Sequence, residues 1–257
     1  MDQLRTRKVD LRFQHRERER SSEFSPIWKG TLDAVFTDVA PYYDIASDFA
    51  SLGLCSRWRR RFVTWVDIGS GDRVLDVCAG TNGVGIALLR RQPDLNVFAI
   101  DRSAVMQEVG QQRVRARGFR IKSFIDDVHE LPFDENSFDV VTLQFASRHL
   151  RVVDVFSEIH RVLKPGGRFY HCDMLKPENP VVARLYNTYL KACVSGTAFA
   201  FRSGSEARSC VDYFVRAIEL FYSAAELSEL LDNIGYSDVA CQSATGGIVA
   251  SHRGVKR

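Results

Sequence analysis

The chain has 257 residues, 45% of them apolar and 11% aromatic, with a formal net charge of +3. This composition supports a sizeable core and excludes a disordered chain, and so small a charge gives no ground for a nucleic-acid partner. Six cysteines without a short repeated spacing argue against a zinc cluster or a secreted disulfide framework, so no metal site is expected and reduced thiols in the cytoplasm fit better.

In chain order, the first 20 residues carry seven Lys/Arg and four Asp/Glu, which predicts a solvated, partly disordered basic arm over 1–30. The sharper reading of that arm is a contact with an anionic membrane face. No signal-peptide core lies near Met1, and no apolar run approaches the roughly 20 residues of a membrane span. From 31 to 66 apolar residues recur at three- and four-residue spacing with a break at Pro41, a helical cap placed before the main sheet.

Beyond Asp72 strands and helices alternate. "RVLDVCAG", "NVFAID", "RIKSFIDD", "FDVVTLQFA" and "RFYHCDML" are strands, separated by "GVGIALLRRQ", "SAVMQEVGQQRVRARG" and "VVDVFSEIHRVL" as helices. That order predicts an α/β, Rossmann-like, doubly wound sheet over 72–178. Residues 180–222 predict an aromatic-rich helical insertion. Ser223 and Glu226 have capping-box spacing, and "SDVACQSAT-GG-IVASHRG" predicts a closing antiparallel hairpin. The expected whole is one domain over 31–257 with seven strands, mostly parallel.

The turn "AGTNGVG" after the first strand lets a ligand approach the peptide groups, and its spacing breaks the second glycine of the dinucleotide fingerprint. Asp76 is a charge inside that strand. Asp101 ends the second strand, where a carboxylate can accept both ribose hydroxyls, and Asp126-Asp127 end the third. Any one of these acids could be a polar residue at a loop start. In register at consecutive strand ends they mark a nucleoside-containing ligand.

These residues, with "SRHL" and "EIHRVLKPGGRF", resemble a class I S-adenosylmethionine-dependent methyltransferase. More narrowly, "VFTDVAPYYDIASDFASLGLCSRWRRRFV" and the tail "GGIVASHRGVK" are similar to the ubiquinone/menaquinone biosynthesis C-methyltransferase family. The resemblance implies S-adenosylmethionine as cofactor. Gly80 and Thr81 would hold its methionine end near Asp76, and Asp101 with Arg102 the ribose. Asp127 and Val128 would lie on the adenine side, and Gln144 near the cofactor. Tyr43 matches the family's tyrosine over the site; for the methylation chemistry itself, Arg148 just past the fourth strand is the candidate stabiliser of phenolate charge, His149 the candidate general base, directly or through a water, and Asp127 a helper in proton removal through water. The partner implied is a prenylated quinol, a hydrophobic small molecule, with peripheral membrane contact and room for a homodimer. The location implied is cytoplasmic, at the inner membrane face.

The chain departs from the family pattern in three places. Asn82-Gly83 replaces Gly-Asp in the turn, Ser147-Arg148-His149 replaces Leu-Arg-Asn, and a Ser-Tyr-Arg-Tyr segment is not recovered near Cys210, Asp212 and Tyr213. Alternatives to quinone C-methylation are O- or N-methylation of another hydrophobic molecule, and a non-catalytic cofactor-binding subunit. A nicotinamide oxidoreductase is disfavoured by the broken glycine fingerprint.

Overall fold

The computed structural model describes residues 9–200 and 210–257. Residues 1–8 of the expected arm and 201–209 of the expected insertion lie outside the described residues. Ahead of the sheet come α1 (Leu11–Pro26), α2 (Leu32–Val39), α3 (Tyr43–Ala50) and α4 (Leu54–Trp65), with a short 3-10 turn at Ala40–Tyr42 around Pro41. The core alternates β1 (Arg73–Val77), α5 (Gly83–Arg91), β2 (Asn96–Asp101), α6 (Ala104–Arg115), β3 (Lys122–Ile125), β4 (Phe138–Gln144), α7 (Val152–Val162) and β5 (Leu163–Met174). Then follow α8 (Pro180–Ala200), α9 (Val211–Glu219), α10 (Ala224–Ile234), β6 (Tyr236–Ala244) and β7 (Val249–Lys256).

The seven strands form one sheet in the order β3-β2-β1-β4-β5-β7-β6. The first five are parallel, and β7 runs antiparallel between β5 and β6. Strand side chains alternate between faces, and the core divides accordingly. Leu75 and Val77 join Phe156, Ile159 and Leu231 on one side, whereas Val74 joins Leu88, Leu89 and Phe62 on the other. Both faces are thus covered, as buried parallel strands require. The Pro-Gly-Gly stretch after α7 is an irregularity within β5: pairing with β4 begins at Leu163 and resumes at Arg168.

The N-terminal segment corrects the expectation of a solvated arm. Residues 11–26 form α1, and Phe13, Glu17, Arg20 and Phe24 are buried. Two of these are charged, which is why composition alone misplaces them. Arg20 Nη1 pairs with Glu17 Oε1 at 2.6 Å, one turn apart. Glu17 Oε2 accepts from the Val152 N–H at 2.6 Å, capping α7, and its other oxygen accepts from Tyr222 at 2.9 Å. Buried charges persist where they are paired and hydrogen-bonded. Ser223 and Glu226 form the expected capping box, and Arg16 of α1 reaches Glu226 at 2.7 Å.

Candidate active site

The strand order reverses between β1 and β4, and ligands of open α/β sheets bind at the carboxyl ends of strands at such a point. A cavity opens there, lined by Asp76, Gly80, Thr81, Asp101, Arg102, Gln144 and His149, with Tyr43 and Phe36 from the cap. Asp76 is fixed by the Thr142 hydroxyl at 2.7 Å, and burial lifts its carboxyl to about 7. Asp101 accepts from the backbone N–H groups of Gly80 and Ser103 at 2.8 and 2.9 Å, while burial still pushes its pKa up. Each carboxylate oxygen keeps a lone pair for a further donor. Arg102 does not reach free into the cavity. Its Nε donates to Asp33 at 2.7 Å, and its Nη2 donates to the Trp28 carbonyl.

The turn after β1 shows what replaces the missing acid. Asp44 of α3 accepts from the Thr81 hydroxyl at 2.9 Å and pairs with Arg59 of α4 at 3.0 Å and with Arg113 of α6. The cap thus supplies a carboxylate to the glycine turn from outside the sheet. A Cβ on Gly83 would stand 2.8 Å from Arg59 Nη1, so the guanidinium fills the space that a side chain at position 83 would take. Asn82 is fully buried in the left-handed conformation with φ of 59°, its amide lying in the notch left by Gly110 of α6.

A second cavity of about 600 Å³ lies beside the first. Its walls are apolar: Val35, Val39, Leu54, Leu185, Tyr186 and Ile218 contribute, from α2, α4, α8 and α9. Phe36, Tyr43 and Phe145 line both cavities and form a shared wall. Arg148 brings the cationic group to the second cavity. The fully buried Asp173 accepts from the Arg148 Nη1 group and, at 3.2 Å, from its backbone N–H. Ser147 adds its hydroxyl to Asp173 at 2.6 Å.

Nine of the predicted residues therefore converge on these cavities: Tyr43, Asp76, Gly80, Thr81, Asp101, Arg102, Gln144 and His149 on the first, with Tyr43 also on the second, and Arg148 on the second. Asp127 and Val128 line neither. Val128 is buried in the core, and Asp127, with a side chain 69% exposed, is bonded to His129 at 2.5 Å. Two expected roles change. Asp127 stands apart from the acceptor cavity, so it is not placed to take a ring proton. His149 is buried with its Nδ1 engaged by Tyr213 at 2.6 Å, and burial, with Arg148 and Arg20 nearby, drives its pKa well below the ordinary value. Sequence reading missed Asp44, Arg59, Arg113, Phe145 and Asp173, whose only signal was a charge or ring in an otherwise helical or strand-forming stretch.

A doubly wound seven-stranded sheet closed by an antiparallel pair, with a glycine turn and a carboxylate at the next strand end, defines the class of Rossmann-like S-adenosylmethionine-dependent methyltransferases. The profile of the ubiE/COQ5 methyltransferase family matches residues 27–256, and the chain belongs to that family. Among its relatives is the demethylmenaquinone methyltransferase of Clavibacter sepedonicus, 36% identical over 230 residues, covering 88% of this chain and 91% of that one. The ubiquinone/menaquinone biosynthesis C-methyltransferase UbiE of Dinoroseobacter shibae is 30% identical, with 88% and 91% covered. The mitochondrial 2-methoxy-6-polyprenyl-1,4-benzoquinol methylase of Bos taurus is 30% identical, with 88% and 79% covered. In fold, the chain resembles the putative methyltransferase in complex with the Haloferax volcanii Trm112 activator, with a TM-score of 0.61, 18% identity, and 86% and 97% covered.

Proposed function

We propose that this methyltransferase transfers a methyl group from S-adenosylmethionine to a ring carbon of a prenylated quinol in quinone biosynthesis. The observation that carries this reading is the pairing of the strand-end cavity with a separate apolar chamber of about 600 Å³ that Arg148 supplies with a cation. A prenyl tail suits the apolar walls, and a quinol ring suits the cation. The relatives named above, whose own names specify quinone substrates, support the same assignment.

The strand-end residues fit the cofactor. Asp101 offers a carboxylate toward ribose hydroxyls, and Gly80 and Thr81 offer a turn without bulk. Gln144 lines the strand-end cavity at the end of β4, within the space the methionine end would take. When bound, the sulfonium supplies an activated methyl group. The protein's part is then placement and charge. Arg148, itself held by Asp173, favours the deprotonated form of a phenolic oxygen and so enriches the ring carbon in electrons. Phe36, Tyr43 and Phe145 set the ring against the cofactor side and exclude water.

The acceptor reaches the chamber from a lipid surface. Leu52 and Leu185 are 78% and 67% exposed and also line the chamber, so they form its mouth. Ile45, Phe49 and Val181 are further exposed apolar side chains, on the same helices α3 and α8 that flank the chamber, and Arg57, Arg60 and Arg61 of α4 are exposed as well. No helix among the described residues is long and apolar enough to cross a membrane. In this reading the rim of the chamber is the surface that rests on the bilayer.

Incubation with S-adenosylmethionine and a demethylated menaquinol tests the assignment. The expected product is one CH₂ heavier, with one S-adenosylhomocysteine released per turnover. Tight S-adenosylhomocysteine binding without methylation of any quinol would reject the quinone reading. Flotation with vesicles containing phosphatidylglycerol tests the rim: Leu52→Glu with Leu185→Glu is expected to abolish it.

A further inference from the structure

We propose that His149 is a locked hydrogen-bond donor to an oxygen of the methyl acceptor, its tautomer set by Trp28 and Tyr213. The inference rests on the reading of the acceptor as a quinol, and it assigns the group that recognises a ring oxygen.

The argument is a count of hydrogens. The Trp28 indole N–H can only donate, and it donates to the Tyr213 oxygen at 2.9 Å. Tyr213 has one hydrogen of its own, and its other polar neighbour is His149 Nδ1 at 2.6 Å. The arrangement that uses every group has the Tyr213 hydroxyl donating to a bare Nδ1. A neutral imidazole with a bare Nδ1 carries its hydrogen on Nε2. That Nε2 is buried and has no partner among the described residues.

A buried N–H without an acceptor costs about 1–3 kcal/mol, so its persistence points to an acceptor supplied from outside the chain. His149 lines the strand-end cavity, and its ring packs edge-on against Phe36, with centroids 6.3 Å apart. Phe36 belongs to the wall that both cavities share, and Arg148 is the adjacent residue. An oxygen of the acceptor ring placed at this wall would lie between the Arg148 cation of the second cavity and the neutral His149 donor of the first. A second positive charge on His149 is opposed by Arg148 and by Arg20, whose guanidinium is fully buried on α1. A proton acceptor would need the opposite arrangement, with a bare nitrogen facing the cavity.

The lock draws on three separate parts of the chain. Trp28 follows α1, His149 follows β4, and Tyr213 lies in α9, where no family motif is recognisable in the sequence. Trp28 and Tyr213 are positioning residues, since neither lines the strand-end cavity.

Nitrogen-15 NMR of the full chain, without ligand, reads the tautomer directly. His149 is expected to show a protonated Nε2 and a bare Nδ1, unchanged from about pH 6 to about pH 8. In Tyr213→Phe the resonances are expected to move toward a mixture of tautomers. A hydrogen on Nδ1 in the wild type, or an imidazolium at neutral pH, would overturn the lock. Steady-state kinetics with a short-tailed demethylated quinol then tests the target. His149→Ala is expected to raise the acceptor KM about tenfold, the effect of one lost hydrogen bond. His149→Asn, which keeps an N–H donor, is expected to stay within a few-fold of wild type, and S-adenosylhomocysteine affinity is expected to hold in both. An equal loss of S-adenosylhomocysteine affinity in His149→Ala would assign the donor to the cofactor and overturn the proposal. A wild type inactive on every quinol, with the NMR result intact, would count against the quinone reading and not against the lock.

Discussion

The Arg20 guanidinium donates to the main-chain carbonyl of Arg148 at 2.9 Å, across 128 residues of sequence. The contact ties the N-terminal helix to the loop that presents the cation of the acceptor chamber. Helix α1 is therefore part of the site's support: it caps α7 through Glu17, holds the Arg148 backbone through Arg20, and packs Phe24 against Tyr213 edge-on at 5.3 Å.

Removing the Arg20 charge should expose that role. Arg20→Met leaves Glu17 buried beside no cation, and breaking a buried pair in this way costs about 3–5 kcal/mol. The expected urea midpoint falls accordingly, and adding Glu17→Gln should recover much of the loss. A single variant within about 0.5 kcal/mol of wild type would return residues 11–26 to the status of a surface appendage.

Asp101 offers the most direct check on the cofactor site. Asp101→Asn removes a charged acceptor, and calorimetric titration with S-adenosylhomocysteine should show binding weaker by about 1.5–3 kcal/mol. Gly80 and Ser103 donate to opposite carboxylate oxygens, so the amide leaves one of these N–H groups facing an NH₂ and the melting temperature is expected to fall as well. An unchanged affinity would remove Asp101 from the ribose.

Asp76 predicts a pH signature. Burial raises its carboxyl from 3.8 to about 7, so the folded chain holds this proton more tightly than the unfolded one. Stability from this group is full below the unfolded value and declines as pH climbs to about 7. Asp76→Asn can still accept from Thr142 but does not titrate. The variant should gain on the wild type between about pH 4 and about pH 8, by at most roughly 4 kcal/mol. Unfolding curves that stay parallel across that range would contradict the assignment. In the wild type, a cationic ligand prefers the ionised carboxylate, so S-adenosylmethionine affinity should rise with pH through 7.

Gly110 should reverse a general rule. Replacing a glycine inside a helix by alanine ordinarily stabilises by about 1 kcal/mol. Here the new Cβ would stand 2.5 Å from Asn82 Nδ2 and 3.0 Å from the Thr81 carbonyl carbon. Gly110→Ala is expected to destabilise by about 1–3 kcal/mol through overpacking and to weaken cofactor binding by moving the turn. Higher stability in thermal unfolding would show that Asn82 is free to move.

Most of the sheet was legible, because strand and helix periods are local properties of the chain. The acids Asp76 and Asp101 were legible for the same reason: the first is a charge inside a recognisable strand and the second ends one. The Asp44–Arg59–Arg113 cluster was not, since its members lie on three helices and only the tertiary fold brings them to Thr81. Glu17 and Arg20 looked like solvated charges because their pairing is invisible until α1 packs. His149 was expected to be a base because a lone histidine near a strand end suits that role. Its hydrogen count depends on Tyr213 and Trp28, distant in sequence. The loss of the turn's acid looked like a defect in sequence, and the fold shows a carboxylate delivered from the cap.

The wall of Phe36, Tyr43 and Phe145 gives the two cavities a common partition. Its rings come from α2, from α3 and from the end of β4, so one side chain serves two compartments at each of these positions. A substitution that enlarges one cavity there necessarily reshapes the other, and the two cannot be tuned separately through this wall.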